Sequence, residues 1–453
     1  AEPDLGAYES KTNNIVASKN NIVFVSPHWK GTGDGSSWQN ARDNIQEAID
    51  TLINRKGGKI WFSQGTYTPV YTFEELTDSG IDLRAKSFYL KPKVSLYGGF
   101  DESDTLFGQR NIYKNKTILS GSPLLGETRG NLYHVVRSET DCDSTEINGF
   151  FITGGVADHF STAEYKDGGG VYMLNGDIVK CYIMGNTAFQ NGGGVVLHNK
   201  SRMINCVVSN NYSYRRAGGV YCADSSIVSL STITNNATGL INGGAETTGN
   251  SLISNSIIWN NSAKKDPQIN PQASISFTAV QSATSLTQDH ALQLASKNTG
   301  NNVDSLYPQF ISPCPVIGIP TYISQAYNAD WSLSQTSPLI NAGQKPSMGI
   351  IMASDSTDIN NSPRVYNDTV DIGAFEYGAY PIIVKDISDI SLCEEKPAKL
   401  SIKATGVNVE YQWQYFSVNK WLPIPQNDYF EGINSPDLTI SHAQIEMNKM
   451  EIR

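Results

Sequence analysis

The chain has 453 residues, enough for two or three domains, with a formal net charge of −10 and only 17% charged residues. That acidity argues against a nucleic-acid or anionic-membrane partner, and no apolar run reaches the ~18 residues that a membrane-spanning helix needs. Its 39 glycines and 19 prolines fit a turn-rich β protein, and its six cysteines show no CxxC spacing, so no metal site is expected.

Asp4-Leu5-Gly6-Ala7-Tyr8-Glu9 recurs in near-copy as Asp371-Ile372-Gly373-Ala374-Phe375-Glu376. The second copy closes a long module, so residues 1–20 read as the tail of a preceding module or a linker. Residues 21–26 alternate as a strand. Ala41 to Asn54 reads as a helix, because Ile45, Ala48, Ile49, Leu52 and Ile53 fall at i, i+3, i+4, i+7 and i+8. Lys59 to Tyr67 follows as a strand and turn. Residues 87–155 supply less regular strands, among them Val94-Ser95-Leu96-Tyr97 and Phe150-Phe151-Ile152-Thr153.

From Gly168 to Asn261 the chain repeats. Gly169-Gly170-Val171 returns at Gly193, Gly218 and Gly243, in steps of 24, 25 and 25. Four further columns step by 25: Ile178/Met203/Val228/Ile253, Cys181/Cys206/Ser231/Ser256, Ile183/Val208/Ile233/Ile258 and Asn186/Asn211/Asn236/Asn261. A period of this size means stacked units. Within each unit the alternation is that of a strand: Cys206 and Val208 face one way, Val207 and Ser209 the other. The first pair reads as the inside. Equivalent strands then stack ~4.8 Å apart, so the Asn side chains can hydrogen-bond along their column. Gly pairs and Asn are read as corner residues. The fold class is all-β, a parallel β-helix. A WD-type propeller is excluded by its period of ~40–45 residues. Cys181 and Cys206 read as an inward stack of free thiols. The amphipathic helix before the coils is expected to cover the apolar end of the stack.

These features carry a resemblance. The strand at 22–25, Asp34-Gly35-Ser36-Ser37-Trp38, Ala48-Ile49 and Gly65-Thr66-Tyr67 make residues 21–377 similar to the pectate-lyase-like superfamily of right-handed parallel β-helices. Asn255 to Asn261, Ser337 to Gly343, Asp358 with Pro363-Arg364, and Asp371 to Glu376 resemble bacterial surface β-helix proteins with a choice-of-anchor Q ending. The resemblance implies further coils, interrupted by insertions, over 262–335, and an exported cell-surface protein. Asp358 and Arg364 are expected to pair and pin the terminal loop. Residues 382–453 alternate as strands, with Cys393 and Trp413, and read as a partial immunoglobulin-like sandwich. The resemblance places a partner for Cys393 in a late strand that begins at Asn448-Lys449-Met450-Glu451-Ile452-Arg453, so Cys393 is expected to be unpaired and the domain incomplete.

Loops that leave the corner after each Asn column share one face of a solenoid, often the binding face. They hold Asp158, His159, Tyr165, Lys166, Tyr212, Tyr214, Arg215 and Arg216, with Phe160, Asp167, Phe189 and Gln190. Aromatic rings beside cations suit sugar stacking, and Arg grips a carboxylate bidentately. The expectation is a structural or adhesive protein in contact with a polysaccharide or cell-surface glycan, without cofactor and as a monomer. The alternative is a polysaccharide lyase or glycoside hydrolase acting on acidic glycans. In a lyase of this superfamily Arg216, Lys166 and His159 would act as base and neutraliser, with Ca²⁺ as the one ion to consider. For a hydrolase, Asp177 and Asp224 fall at different positions of their repeats and read as turn residues.

Overall fold

The computed structural model describes residues 21–28, 30–69, 82–122, 130–138, 140, 142–159, 162–281, 307–320, 322–344, 357–365 and 369–378, then 382–385, 387, 390, 394–405, 411–417, 420–447 and 449–453. The Asp4–Glu9 hexamer, Phe160 and Cys393 lie outside them. The chain divides into two units, Ala1–Glu376 and Tyr377–Arg453.

The first unit is a parallel β-helix. Among the described residues its coils form parallel sheets of nine, eight, six and four strands. One coil shows the route. Val195–Leu197 belongs to the six-stranded sheet, Arg202–Ile204 to the nine-stranded sheet, Val207–Ser209 to the eight-stranded sheet and Tyr212–Ser213 to the four-stranded sheet. Every step of 25 is an in-register pair: Ile178 opposite Met203, Met203 opposite Val228, Ile183 opposite Val208, Val208 opposite Ile233. These columns, with Val171/Val195/Val220/Ala245 and Cys181/Cys206, are fully buried in one interior cluster. Each branched side chain so buried contributes about 1.5–3 kcal/mol, repeated coil after coil.

The corners explain the polar columns. Lys180, Asn205, Leu230 and Asn255 take left-handed φ values of 50°, 55°, 51° and 47°. The next residue turns inward, and its sulfur or hydroxyl accepts an amide from the preceding coil: Cys181 N–H to Cys206 Sγ at 3.4 Å, Cys206 N–H to Ser231 Oγ at 3.2 Å, Ser231 N–H to Ser256 Oγ at 3.1 Å. The thiols are therefore acceptors as well as small fillers. At the following corner the Asn ladder runs unbroken. Asn186, Asn211 and Asn236 each donate Nδ2–H to the next Asn Oδ1 at 3.0–3.1 Å, and Asn261 donates to Gln268 Oε1 at 2.8 Å.

The glycine pairs serve a purpose other than the expected one. None of Gly169, Gly193, Gly218 or Gly243 has a positive φ. A Cβ on Gly193 would lie 2.3 Å from Tyr212 O and 2.5 Å from Gly218 O. These glycines permit close approach of backbone between coils rather than a tight corner.

Three sequence expectations need correction. First, the helix is Ile45–Asn54, starting four residues later than Ala41. Asn44 caps it, accepting the N–H of Gln46 and Glu47, while Arg42 stays extended and bridges Val25. Second, Val207 is as buried as Val208. Its outward face packs on Cys314, Trp331, Ala374 and Phe375 rather than meeting solvent. Third, the coils expected over 262–335 continue only in part, and the described residues from 307 to 335 are not among them. The coil path adds one turn, through Ile275–Ser276 and Ala279–Val280. The later segment then runs as a strap over the outside of the eight-stranded sheet. Asn210 Nδ2 donates to Val316 O (2.7 Å), Gly318 N–H to Asn235 O (2.7 Å), Lys116 Nζ to Tyr327 O (3.2 Å) and Gly373 N–H to Asn255 O (2.9 Å).

A fully buried Arg364 fastens the strap. Its ion partner is Glu376, at 3.3 Å, rather than Asp358. Asp358 instead accepts the N–H of Ser362 (2.7 Å) and of Glu376 (2.8 Å). Burial pushes the Glu376 carboxyl up to about 8, with Arg364 opposing the shift.

The helix buries Ile45, Ala48, Ile49 and Leu52 in the interior cluster. No helix among the described residues is long and apolar enough to cross a membrane. The second unit consists of small antiparallel sheets, with Ala398–Ser401 against Asp437–Ile440 and Gln414–Ser417 against Lys420–Pro423. Leu400, Trp413, Ile424, Phe430, Leu438 and Ile440 form its core. Ile452 bridges Tyr415 antiparallel.

Candidate functional site

The loops singled out from the sequence flank the four-stranded sheet, in which Val156, Thr187, Tyr212 and Ala237 stand in register. One step along, Phe189 and Tyr214 form an exposed aromatic column, 37% and 52% accessible, with ring centroids 6.0 Å apart. Tyr212 meets Tyr214 edge-on at 5.0 Å, and the Arg215 guanidinium lies 5.3 Å over Phe189. The next coil carries Gly239 at this position, where an added Cβ would come 2.6 Å from Tyr214 O. A side chain there would crowd the platform, and glycine leaves its end open.

Of the remaining predicted residues, His159 and Tyr165 form a second cluster. His159 and Tyr165 pack on Tyr133, with Tyr165 stacked at 4.9 Å. The His159 Nδ1 accepts the Thr162 N–H at 2.8 Å, which occupies one of the two nitrogens a base would use. Asp158 is ion-paired with Arg84, and Arg216 with Glu246 at 3.4 Å. The Lys166 carbonyl accepts the Gln190 N–H. Asp177 and Asp224, expected to be turn residues, are both paired: Asp177 opens the strand Asp177–Val179 and holds Arg202, while Asp224 sits at φ 55° beside His198 at 2.7 Å.

Sequence reasoning missed the outward face of the adjoining six-stranded sheet. In register across it stand Tyr89, Arg137, Tyr172, Val196, Tyr221 and Glu246. The signal was available: the position after each Gly-Gly-Val must point outward, and it reads Tyr, Val, Tyr, Glu along the repeat. Beside it, His134 is buried, donates its Nδ1–H to Gly168 O (2.9 Å), and stacks on Tyr172 at 5.1 Å. Burial lowers its pKa to about 4, so it is neutral at pH 7. Burial likewise raises the Asp167 carboxyl to about 6, against the opposing bond from the Asn191 N–H.

At one end of this face is a cavity of about 480 Å³, walled by Gln46, Phe88, Tyr89, Arg137, Glu164 and Tyr165, among others. Arg137 Nη2 donates to Glu164 Oε2 at 2.9 Å, and its guanidinium lies 5.8 Å from both the Tyr89 and Tyr165 rings. Arg137 Nε is buried without a hydrogen-bond partner among the described residues. No group of three or more His, Cys, Asp or Glu side chains among them is placed to hold a metal ion. The arrangement offers aromatic surface and matched donor–acceptor pairs, with one protonatable carboxyl at Asp167. No family model matches the sequence, and no curated protein matches it.

Proposed function

We propose that this chain is part of an exported surface protein whose β-helix has a structural or adhesive role and contacts glycan through the aromatic corner. The observation that carries the reading is the exposed Phe189–Tyr214 column with Tyr212 and Arg215 beside it. Large rings left in water, on a protein that buries its other apolar columns, mark a contact surface. In this reading the β-helix is right-handed, the Ile45–Asn54 helix caps its first coil, and Asn255 to Asn261, Ser337 to Gly343, Asp358 with Pro363-Arg364, and Asp371 to Glu376 belong to the choice-of-anchor Q type of ending. The second unit is an immunoglobulin-like domain, supported by its antiparallel pairs and its Trp413-centred core.

The experiment is a binding titration of the full chain with a panel of polysaccharides, repeated with Tyr214→Ala and Arg215→Ala. Loss of about tenfold or more in affinity in both variants, at unchanged stability, supports the reading. No binding by the native protein sinks it. The second reading, cleavage of glycan, is favoured by one observation, the raised Asp167 carboxyl on the same face. It is tested by incubation with acidic polysaccharides, with and without Ca²⁺, following unsaturated-product absorbance and new reducing ends.

A further inference from the structure

Three arginines around the cavity and the corner are already ion-paired, whereas Arg215 at the corner lies over Phe189. Arg84 is held by Asp158, Arg137 by Glu164 and Arg216 by Glu246, each carboxylate coming from a different stretch of chain. A carboxylated ligand would have to displace one of these partners, and it would approach against the field of a chain with net charge −10. An uncharged sugar meets neither obstacle. Its hydroxyls both donate and accept, so one guanidinium–carboxylate pair serves two of them at once.

The cavity at Tyr89, Arg137, Glu164 and Tyr165 has the composition for this. Tyr89 and Tyr165 line it, each with one ring face already covered, by Lys91 and by Tyr133, which leaves the other for the C–H surface of a pyranose; its volume of about 480 Å³ falls in the range of small-molecule sites, and Arg137 Nε is a donor still lacking an acceptor. We infer that this cavity selects uncharged glycan over polyuronate, holding a hexose unit against Tyr89 and Tyr165 with the Arg137–Glu164 pair binding its hydroxyls. The inference rests on the glycan-binding reading above and narrows it.

The test is calorimetric titration of the full chain with neutral gluco- and manno-oligosaccharides and with oligogalacturonate and alginate oligomers, at low and at high salt. Neutral oligosaccharides are expected to bind at least about tenfold tighter than the uronates, with affinity insensitive to salt. Glu164→Gln, a change at a half-exposed side chain, is expected to weaken neutral binding about tenfold and to admit uronate, because Arg137 is then unpaired. Tighter, salt-sensitive uronate binding by the native protein overturns the inference and leaves the glycan reading standing. Unchanged titrations with Glu164→Gln overturn the role of the cavity. Absence of binding to either class overturns both readings.

Discussion

Replacing Asn211 by Ala should open the coil at its second corner. The Asn211 Nδ2 group donates to Asn236 Oδ1 (3.0 Å), Ile183 O (2.9 Å) and Ser209 O (3.0 Å), and its Oδ1 accepts from both the backbone N–H and the Nδ2 of Asn186, each at 3.0 Å. Some of these groups have substitutes. Asn186 Nδ2 keeps the Ile152 and Met184 carbonyls, and Asn236 Oδ1 keeps the Asn211 N–H. The Asn186 backbone N–H has none. A buried donor left without a partner costs about 1–3 kcal/mol, and the space left by the amide adds roughly 1 kcal/mol, so a loss of roughly 2–4 kcal/mol is expected. Chemical denaturation followed by circular dichroism measures the loss. Hydrogen exchange locates it, since a stacked repeat opens locally: the Asn186 amide should exchange faster in the variant. An unmoved midpoint with full protection at Asn186 would refute the claim that the ladder holds the corner.

Gly193→Ala places a methyl 2.3 Å from Tyr212 O, where only a backbone shift can accommodate it, so the variant should lose several degrees of Tm or fail to fold. Gly108→Ala, with nothing within 4 Å of the added carbon, is expected to be neutral by the same measurement. Cys142, Cys181, Cys206, Cys222 and Cys314 are buried, and burial raises the Cys181 and Cys222 thiols to about 12. A thiol reagent at pH 8 should therefore leave these five unmodified in the native protein and label them after unfolding. Glu376 titrates near 8 in the fold against 4.5 ordinarily, so between these values the folded chain holds a proton that the unfolded chain has released, and stability falls as pH rises. His134, lowered to about 4, adds an opposing rise that fades above pH 6.5, where the fall up to pH 8 belongs to Glu376 together with the buried Asp358, whose carboxyl is likewise raised by burial. Denaturation midpoints should decline across that window in the native protein and stay flatter in Glu376→Gln.

The sequence by itself determined the inside of the coils. Ile183, Val208, Ile233 and Ile258 recur at the strand period and the coil period together, and both periods are local, so the register, the interior list and the Asn ladder could be read before any coordinates. The aromatic corner was legible for the same reason, since its loops follow the Asn column. What surrounds the coils was not legible. Phe151, Tyr182, Val207 and Ile257 do make the outward face of one sheet apolar, which hints that something covers it. The identity of the cover depends on contacts between residues more than a hundred positions apart, such as Asn210 with Val316 and Lys116 with Tyr327. These follow no period. In the same way, the Arg137–Glu164 and Arg216–Glu246 pairs join segments that only the winding of the chain brings together, so the tertiary structure, not the sequence, decided which of the cations are paired.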